Sequence, residues 1–270
     1  MQNATPMLRQ YLEIKKQYPG TILFFRLGDF YEMFNEDAIT GSRELQITLT
    51  ARQKDSANPI PMCGVPHHAA AGYIAKLVSR GYRVAICEQA EPASKGTKLV
   101  KREVVRVITP GTAIDDQLAD SAVPAYLAAV YCGAGGVGAA FLDVSTGEFF
   151  ATQAEGPDAW PRIAENIERF GAKEVVVPEG DLEIYKANLG FTPQDSLLRF
   201  EKEEGASPLD SKGRLMTPLD AGAFDPKDAR DTLLRQFGVR ELTAFGIDGR
   251  DAAIGAAGAC LAYARNTQRA

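Results

Sequence analysis

Behind Thr5-Pro6, an N-cap residue with proline at the first helical position, Met7, Leu8, Tyr11 and Leu12 repeat at helical spacing as far as Tyr18-Pro19-Gly20. The run Ile22-Leu23-Phe24-Phe25 then reads as a buried strand, and Gly28-Asp29 supplies turn chemistry. Beyond the turn the pattern alternates, with Phe30, Glu32 and Phe34 on one face and Tyr31 and Met33 on the other. A large ring beside a carboxylate is an awkward pair to bury, because the carboxylate then needs a partner. It suits presentation to a ligand. The plain alternative is a hairpin with Phe30 in the core and Glu32 at a solvated edge.

The same reading continues along the chain. Asn35 is placed to cap a helix running towards Leu45, with Glu36 and Asp37 favourable to its dipole. Ile47-Thr48-Leu49-Thr50 reads as a strand, and Pro61 to Pro66 as a compact irregular stretch with Gly64 at a special φ. Ala70, Tyr73, Ile74, Leu77 and Val78 mark a helix over 67–80, stopped by Gly81; strands follow at 82–87 and 104–108. A domain over 1–112, a linker over 113–123 and a second domain over 124–270 are expected. The second opens with strands at 126–132, 137–144 and 147–151, then a helix over 158–170 and a strand at 174–177. Residues 180–222 show little period beyond a candidate strand at 196–200. Asp225-Pro226 starts a helix to Phe237, and a small-residue helix covers 252–265. The fold class is mixed α/β. The polar, uncapped tail after Arg265 reads as a chain that continues.

Composition narrows the function classes. The chain has 270 residues, 45% hydrophobic and 24% charged, ordinary for a globular protein. No apolar run approaches a membrane span, and the start lacks the basic and apolar regions of an export signal, so a cytoplasmic location is expected. Cys63, Cys87, Cys132 and Cys260 are widely spaced, which predicts buried reduced thiols. Net charge is −5, yet unevenly spread: residues 1–115 hold 15 Lys and Arg against 11 Asp and Glu, and residues 116–270 hold 15 against 24. The basic excess of the first part lies in Lys95, Lys98, Lys101, Arg102 and Arg106. Only that part favours a polyanion.

Three motifs invite a chemical reading. Gly133-Ala134-Gly135-Gly136-Val137-Gly138 fits G-x-G-x-x-G, but β-like residues follow where a dinucleotide site needs a helix; it reads as a hairpin turn. No phosphate-binding G-x-x-x-x-G-K-[ST] and no nucleophile elbow is present. Cys63 with His67-His68 cannot complete a tetrahedral zinc site, and the histidines read as capping and core residues. Asp143, ending a strand before Ser145-Thr146-Gly147, is similar in shape to the first carboxylate of ribonuclease-H-like nucleases. Glu174 and Asp228 are the only partners for the two-metal chemistry that reading requires, and a turn-forming role suits Asp143 better.

Several of these stretches together resemble one family. Phe24 to Phe34 with Gly-Asp-Phe-Tyr-Glu at its centre, Ile60-Pro61-Met62-Cys63-Gly64-Val65-Pro66-His67-His68-Ala69, Val84 to Gln89, Val104 to Thr112, Leu234 to Gly238 and Tyr263 to Arg269 are similar to the bacterial DNA mismatch recognition family MutS. The resemblance implies a mismatch-binding domain followed by a ribonuclease-H-like connector without nuclease activity. It implies that Phe30 wedges into the minor groove at a mispaired or unpaired base while Glu32 hydrogen-bonds that base, as an acceptor or while protonated. Arg52, Lys101 and Arg102 are expected phosphate contacts, on charge and position. The expected partners are duplex DNA with mismatches or small insertion/deletion loops, and a MutL-type repair protein met through the connector. ATP and Mg, the ATPase activity and the main dimer contacts belong to family domains outside these residues, so no enzyme activity and no cofactor is expected here. Association with the bacterial nucleoid is expected when DNA is bound. The alternative is a nuclease using Asp143.

Overall fold

The computed structural model describes residues 5–52, 59–90, 100–113, 125–192 and 208–268. Within them the chain forms two compact units, residues up to Thr109 and residues Pro110–Thr267 less part of the intervening stretch. Both are mixed α/β, with seven α-helices and two mixed sheets in all among the described residues.

The first unit opens with α1 (Pro6–Gln17), capped by Thr5, whose hydroxyl accepts from the Leu8 amide. β1 (Thr21–Leu27) turns through Gly28-Asp29 into β2 (Phe30–Phe34). Gly28 has φ +58°, a conformation glycine takes without a side-chain penalty, and it begins a two-residue hairpin loop. Then come α2 (Glu36–Leu45), β3 (Thr50–Arg52), β4 (Ile60–Pro66), a 3-10 turn at His67–Ala69, α3 (Ala70–Ser79), β5 (Arg83–Gln89) and β6 (Arg102–Ile108). The sheet order is β3-β4-β2-β1-β5-β6.

Four expectations change here. Asn35 stands at the N-cap of α2 in the left-handed region and makes no side-chain cap; its carbonyl takes the first helical amides instead. The strand expected at 47–50 lies at Thr50–Arg52, because Gln46, also left-handed, redirects the chain and the Ile47 amide closes back on Ser42. The stretch from Pro61 to Pro66 is β4, paired with both β2 and β3, and Gly64 has no unusual φ. His67 and His68 are exposed, not core.

The side chains of one sheet face, Leu23, Phe25, Phe34, Ala85, Cys87 and Val107, form a core with Leu8, Tyr11 and Ile14 of α1. Tyr11 meets Phe25 and Phe34 edge-to-face, at 5.5 and 5.0 Å between ring centres. Asp37 ties the layers together: one carboxylate oxygen accepts from the Tyr11 hydroxyl (2.8 Å) and the Leu23 amide (3.0 Å), the other pairs with Lys15 at 2.6 Å.

In the second unit, β7 (Tyr126–Gly133), β8 (Gly136–Asp143) and β9 (Phe149–Ala154) form an antiparallel meander. α4 (Ala159–Phe170) leads to β10 (Glu174–Pro178), parallel to β7. α5 (Leu182–Asn188) precedes β11 (Leu215–Leu219), parallel to β10. The order β11-β10-β7-β8-β9, a meander extended from its first strand by two parallel strands, is the arrangement a ribonuclease-H-like fold calls for. α6 (Pro226–Phe237), capped by Asp225, and α7 (Asp251–Thr267) cover one face. α7 lies so close that a Cβ on Gly138 would stand 2.1 Å from the Ala252 backbone. α5 and β11 were not anticipated, and the candidate strand at 196–200 lies outside the described residues.

Candidate nucleic-acid interface

Phe30 and Glu32 project from the same face of β2, at the end of the strand that α1 leaves uncovered. Their cross-strand neighbours on that face are Leu27 and Phe25 of β1 and Pro66 and Gly64 of β4. Phe30 is 46% exposed, a large ring in water, whereas Tyr31, Met33 and Phe34 are buried. The hairpin that carries it is pinned: the Arg26 guanidinium donates to the Gly28 carbonyl (2.6 Å), and the His67 amide donates to the Asp29 carbonyl (2.9 Å). On the opposite face, the Tyr31 hydroxyl bonds Glu88 and Arg26 lies over the Tyr31 ring. The ring of Phe30 therefore stands on a backbone held from both sides.

Glu32 is half-buried. Burial raises its carboxyl above the usual glutamate range, and the nearby Arg52 guanidinium only partly offsets this. Arg52, on the edge strand β3, approaches the carboxylate to 3.5 Å. Gly64 presents bare backbone next to Glu32; a Cβ there would stand 3.2 Å from the Tyr31 carbonyl and 3.5 Å from Glu32 Cγ. Glycine at 64 thus serves space rather than conformation. The result is an exposed ring and a carboxylate on one rigid strand, with a cation at the edge.

The expected basic patch is reduced. Arg102 is 7% exposed, its guanidinium donating to the Arg26 and Val100 carbonyls and to Gln10 (2.7–3.1 Å) and lying 4.9 Å over the Phe25 ring. It is a core residue, which corrects its expected role as a phosphate contact. Lys101 is exposed and pairs with Glu103. Arg106 is partly buried, with Nε and Nη2 lacking a hydrogen-bond partner. Lys95 and Lys98 lie outside the described residues.

The carboxylates of the nuclease alternative do not converge. Asp143 pairs with Tyr126 and Glu174 with Leu127, adjacent positions of β7, so the two side chains lie on opposite faces of the sheet. Glu174 is fully buried; one oxygen accepts from Thr217 (2.6 Å) and Tyr263 (2.7 Å), the other from the Gly111 amide (3.0 Å). Asp143 is 2% exposed and accepts from the Ser145 amide and hydroxyl. Burial alone would push its pKa up, but these bonds together with those from Thr146 hold it below the usual range. It is a turn-former, as expected. Cys63, Cys87 and Cys260 are buried free thiols, and Cys132 is an exposed one.

The chain matches two family models, MutS domain I over residues 5–117 and MutS domain II over residues 125–270. It is 44% identical over 266 residues to the DNA mismatch repair protein MutS of Desulfatibacillum aliphaticivorans, covering 98% of this chain and 28% of that protein. The MutS of Solibacter usitatus is 47% identical over 268 residues, again with 28% of that protein covered, and the MutS of Myxococcus xanthus 45% over 267. A family B DNA polymerase from Pyrobaculum calidifontis aligns to 89% of the chain with a TM-score of 0.31 and 15% identity, too distant to bear on fold or function. The chain spans little more than a quarter of the curated relatives it matches. With both family models covering nearly all of its residues, the chain belongs to the MutS family, as a module of a mismatch repair protein.

Proposed function

We propose that the first unit reads mismatched or looped duplex DNA by inserting Phe30 into the minor groove, with Glu32 hydrogen-bonding the displaced base. The observation that carries this reading is the exposure of the Phe30 ring on a pinned hairpin, two residues away from a half-buried carboxylate on the same face. Opening a base step to admit an apolar wedge costs a few kcal/mol of unstacking, and least where pairing is already broken. That difference is the discrimination. Glu32 adds to it: an ionised carboxylate brought near the phosphates of intact duplex is repelled, whereas a displaced base offers it a hydrogen bond. Arg52 and Lys101 supply weak phosphate contacts in this reading.

The second unit serves as the connector, relaying the state of the first to the remainder of the protein and meeting a MutL-type partner. ATP hydrolysis with Mg and the main dimer contacts reside in the rest of the family protein. The protein is cytoplasmic and joins the nucleoid when bound to DNA. The nuclease alternative finds no support, since Asp143 and Glu174 occupy opposite sheet faces. A duplex with 2-aminopurine beside a mismatch tests the wedge. The chain should raise its fluorescence by unstacking the base, and Phe30→Ala should abolish the rise; an equal rise with Phe30→Ala contradicts the reading.

A further inference from the structure

We propose that Arg52 is a positioning residue for Glu32, holding its carboxylate in the DNA-free protein and exchanging it for a backbone phosphate when duplex binds. The inference rests on the mismatch reading of the first unit. Its structural basis is local. Arg52 lies on edge strand β3, its side chain is 42% exposed, and its Nη1 stands 3.5 Å from Glu32 Oε2, a distance that marks a loose pair, easily parted.

The other groups facing Glu32 leave this role to Arg52. Its cross-strand neighbours are Phe25 on β1 and Gly64 on β4, neither of them charged. Arg102, reaching over the Phe25 ring from β6, is held by internal acceptors. Asp29 in the hairpin turn is an anion. Among the described residues, Arg52 is thus the cation within ion-pair reach of a carboxylate whose pKa burial raises. An exposed guanidinium at the sheet edge also suits a phosphate, which it can bind in bidentate fashion. Transfer of Arg52 to the DNA backbone would leave Glu32 free to meet a base, and without its counter-ion the carboxyl would take up a proton more readily.

Two measurements test the pair and the exchange separately. In the first, the Glu32 carboxyl is titrated by carbon NMR in the DNA-free chain. Arg52→Ala should move the midpoint up and Arg52→Lys should largely restore it; an unmoved midpoint in Arg52→Ala overturns the pair. In the second, affinity for a mismatched duplex is measured against salt. Arg52→Ala should flatten the log–log slope by about one unit, the loss of one phosphate contact. An unchanged slope overturns the exchange even if the pair stands. If the unmodified chain binds neither matched nor mismatched duplex at low salt, the exchange falls together with the mismatch reading, and the NMR midpoint still decides the pair.

Discussion

Phe30 and Phe34 stand on the same face of one five-residue strand, yet Phe34 is 1% exposed under the Tyr11 ring and Phe30 is 46% exposed. The difference lies in what covers them: α1 shields one end of β2 and stops short of the other. An exposed ring contributes little to folding, so Phe30→Ala should change stability by no more than about 0.5 kcal/mol. Base–aromatic stacking is worth about 1–3 kcal/mol, so the same variant should weaken mismatch binding by roughly 5- to 150-fold. Thermal melting and fluorescence anisotropy on one preparation separate the two effects.

If Glu32 meets the base, binding should depend on pH. Its carboxyl is raised by burial, so the folded state binds this proton more tightly than the unfolded chain does. The stabilisation it provides is present below the ordinary glutamate pKa and declines as pH rises through the raised value. Glu32→Gln removes the charge and should therefore be neutral to slightly stabilising at pH 7, within about 0.5 kcal/mol. It should also tighten binding to matched duplex and shrink the mismatch preference. Anisotropy between pH 5 and 8 checks this; matched-duplex affinity unchanged by Glu32→Gln would contradict the repulsive role.

Arg102 and Arg52 should part company on substitution. Arg102→Ala leaves the Arg26 and Val100 carbonyls without their donor, uncovers the Phe25 ring and empties part of the core. A loss of about 2–4 kcal/mol is expected, with no change in the salt slope of DNA binding. Urea unfolding and a salt titration measure the two.

Much of this molecule can be read from its residues, and the gaps have physical causes. Thr5-Pro6, Gly28-Asp29 and Asp225-Pro226 announce their turns and caps because their chemistry acts within a few residues. β4 was obscured because Pro61 and Pro66 suppress the strand pattern, while its pairing partners lie on two distant segments. The inward course of Arg102 depends on Gln10, Phe25 and Arg26, whose proximity only the sheet order reveals. The pair Phe30 and Glu32 was visible as an anomaly of alternation. Arg52 as a partner to Glu32 was not, since 20 residues and two strand boundaries separate them.

Asp37 holds the first unit together from beneath the site. Asp37→Ala strips Tyr11, Lys15 and the Leu23 amide of their shared acceptor and should cost about 3 kcal/mol. Folded molecules should keep their mismatch preference. Chemical unfolding followed by binding below the transition measures both.

Gly138→Ala tests the close approach of α7 in the second unit. A Cβ at 2.1 Å from the Ala252 backbone forces the helix off the sheet, at a cost of about 3 kcal/mol or more. Calorimetry should show the loss; a stability within 1 kcal/mol of the unmodified chain would mean that α7 sits further from β8.

The pinned ring and its carboxylate are tested most directly by titrating the chain against matched and mismatched duplexes of otherwise identical sequence at low salt. Binding should be tighter to the mismatched duplex, and Phe30→Ala should bring the two affinities together by weakening the mismatched complex alone. Equal affinity of the unmodified chain for both duplexes, or a preference that survives Phe30→Ala intact, would contradict it.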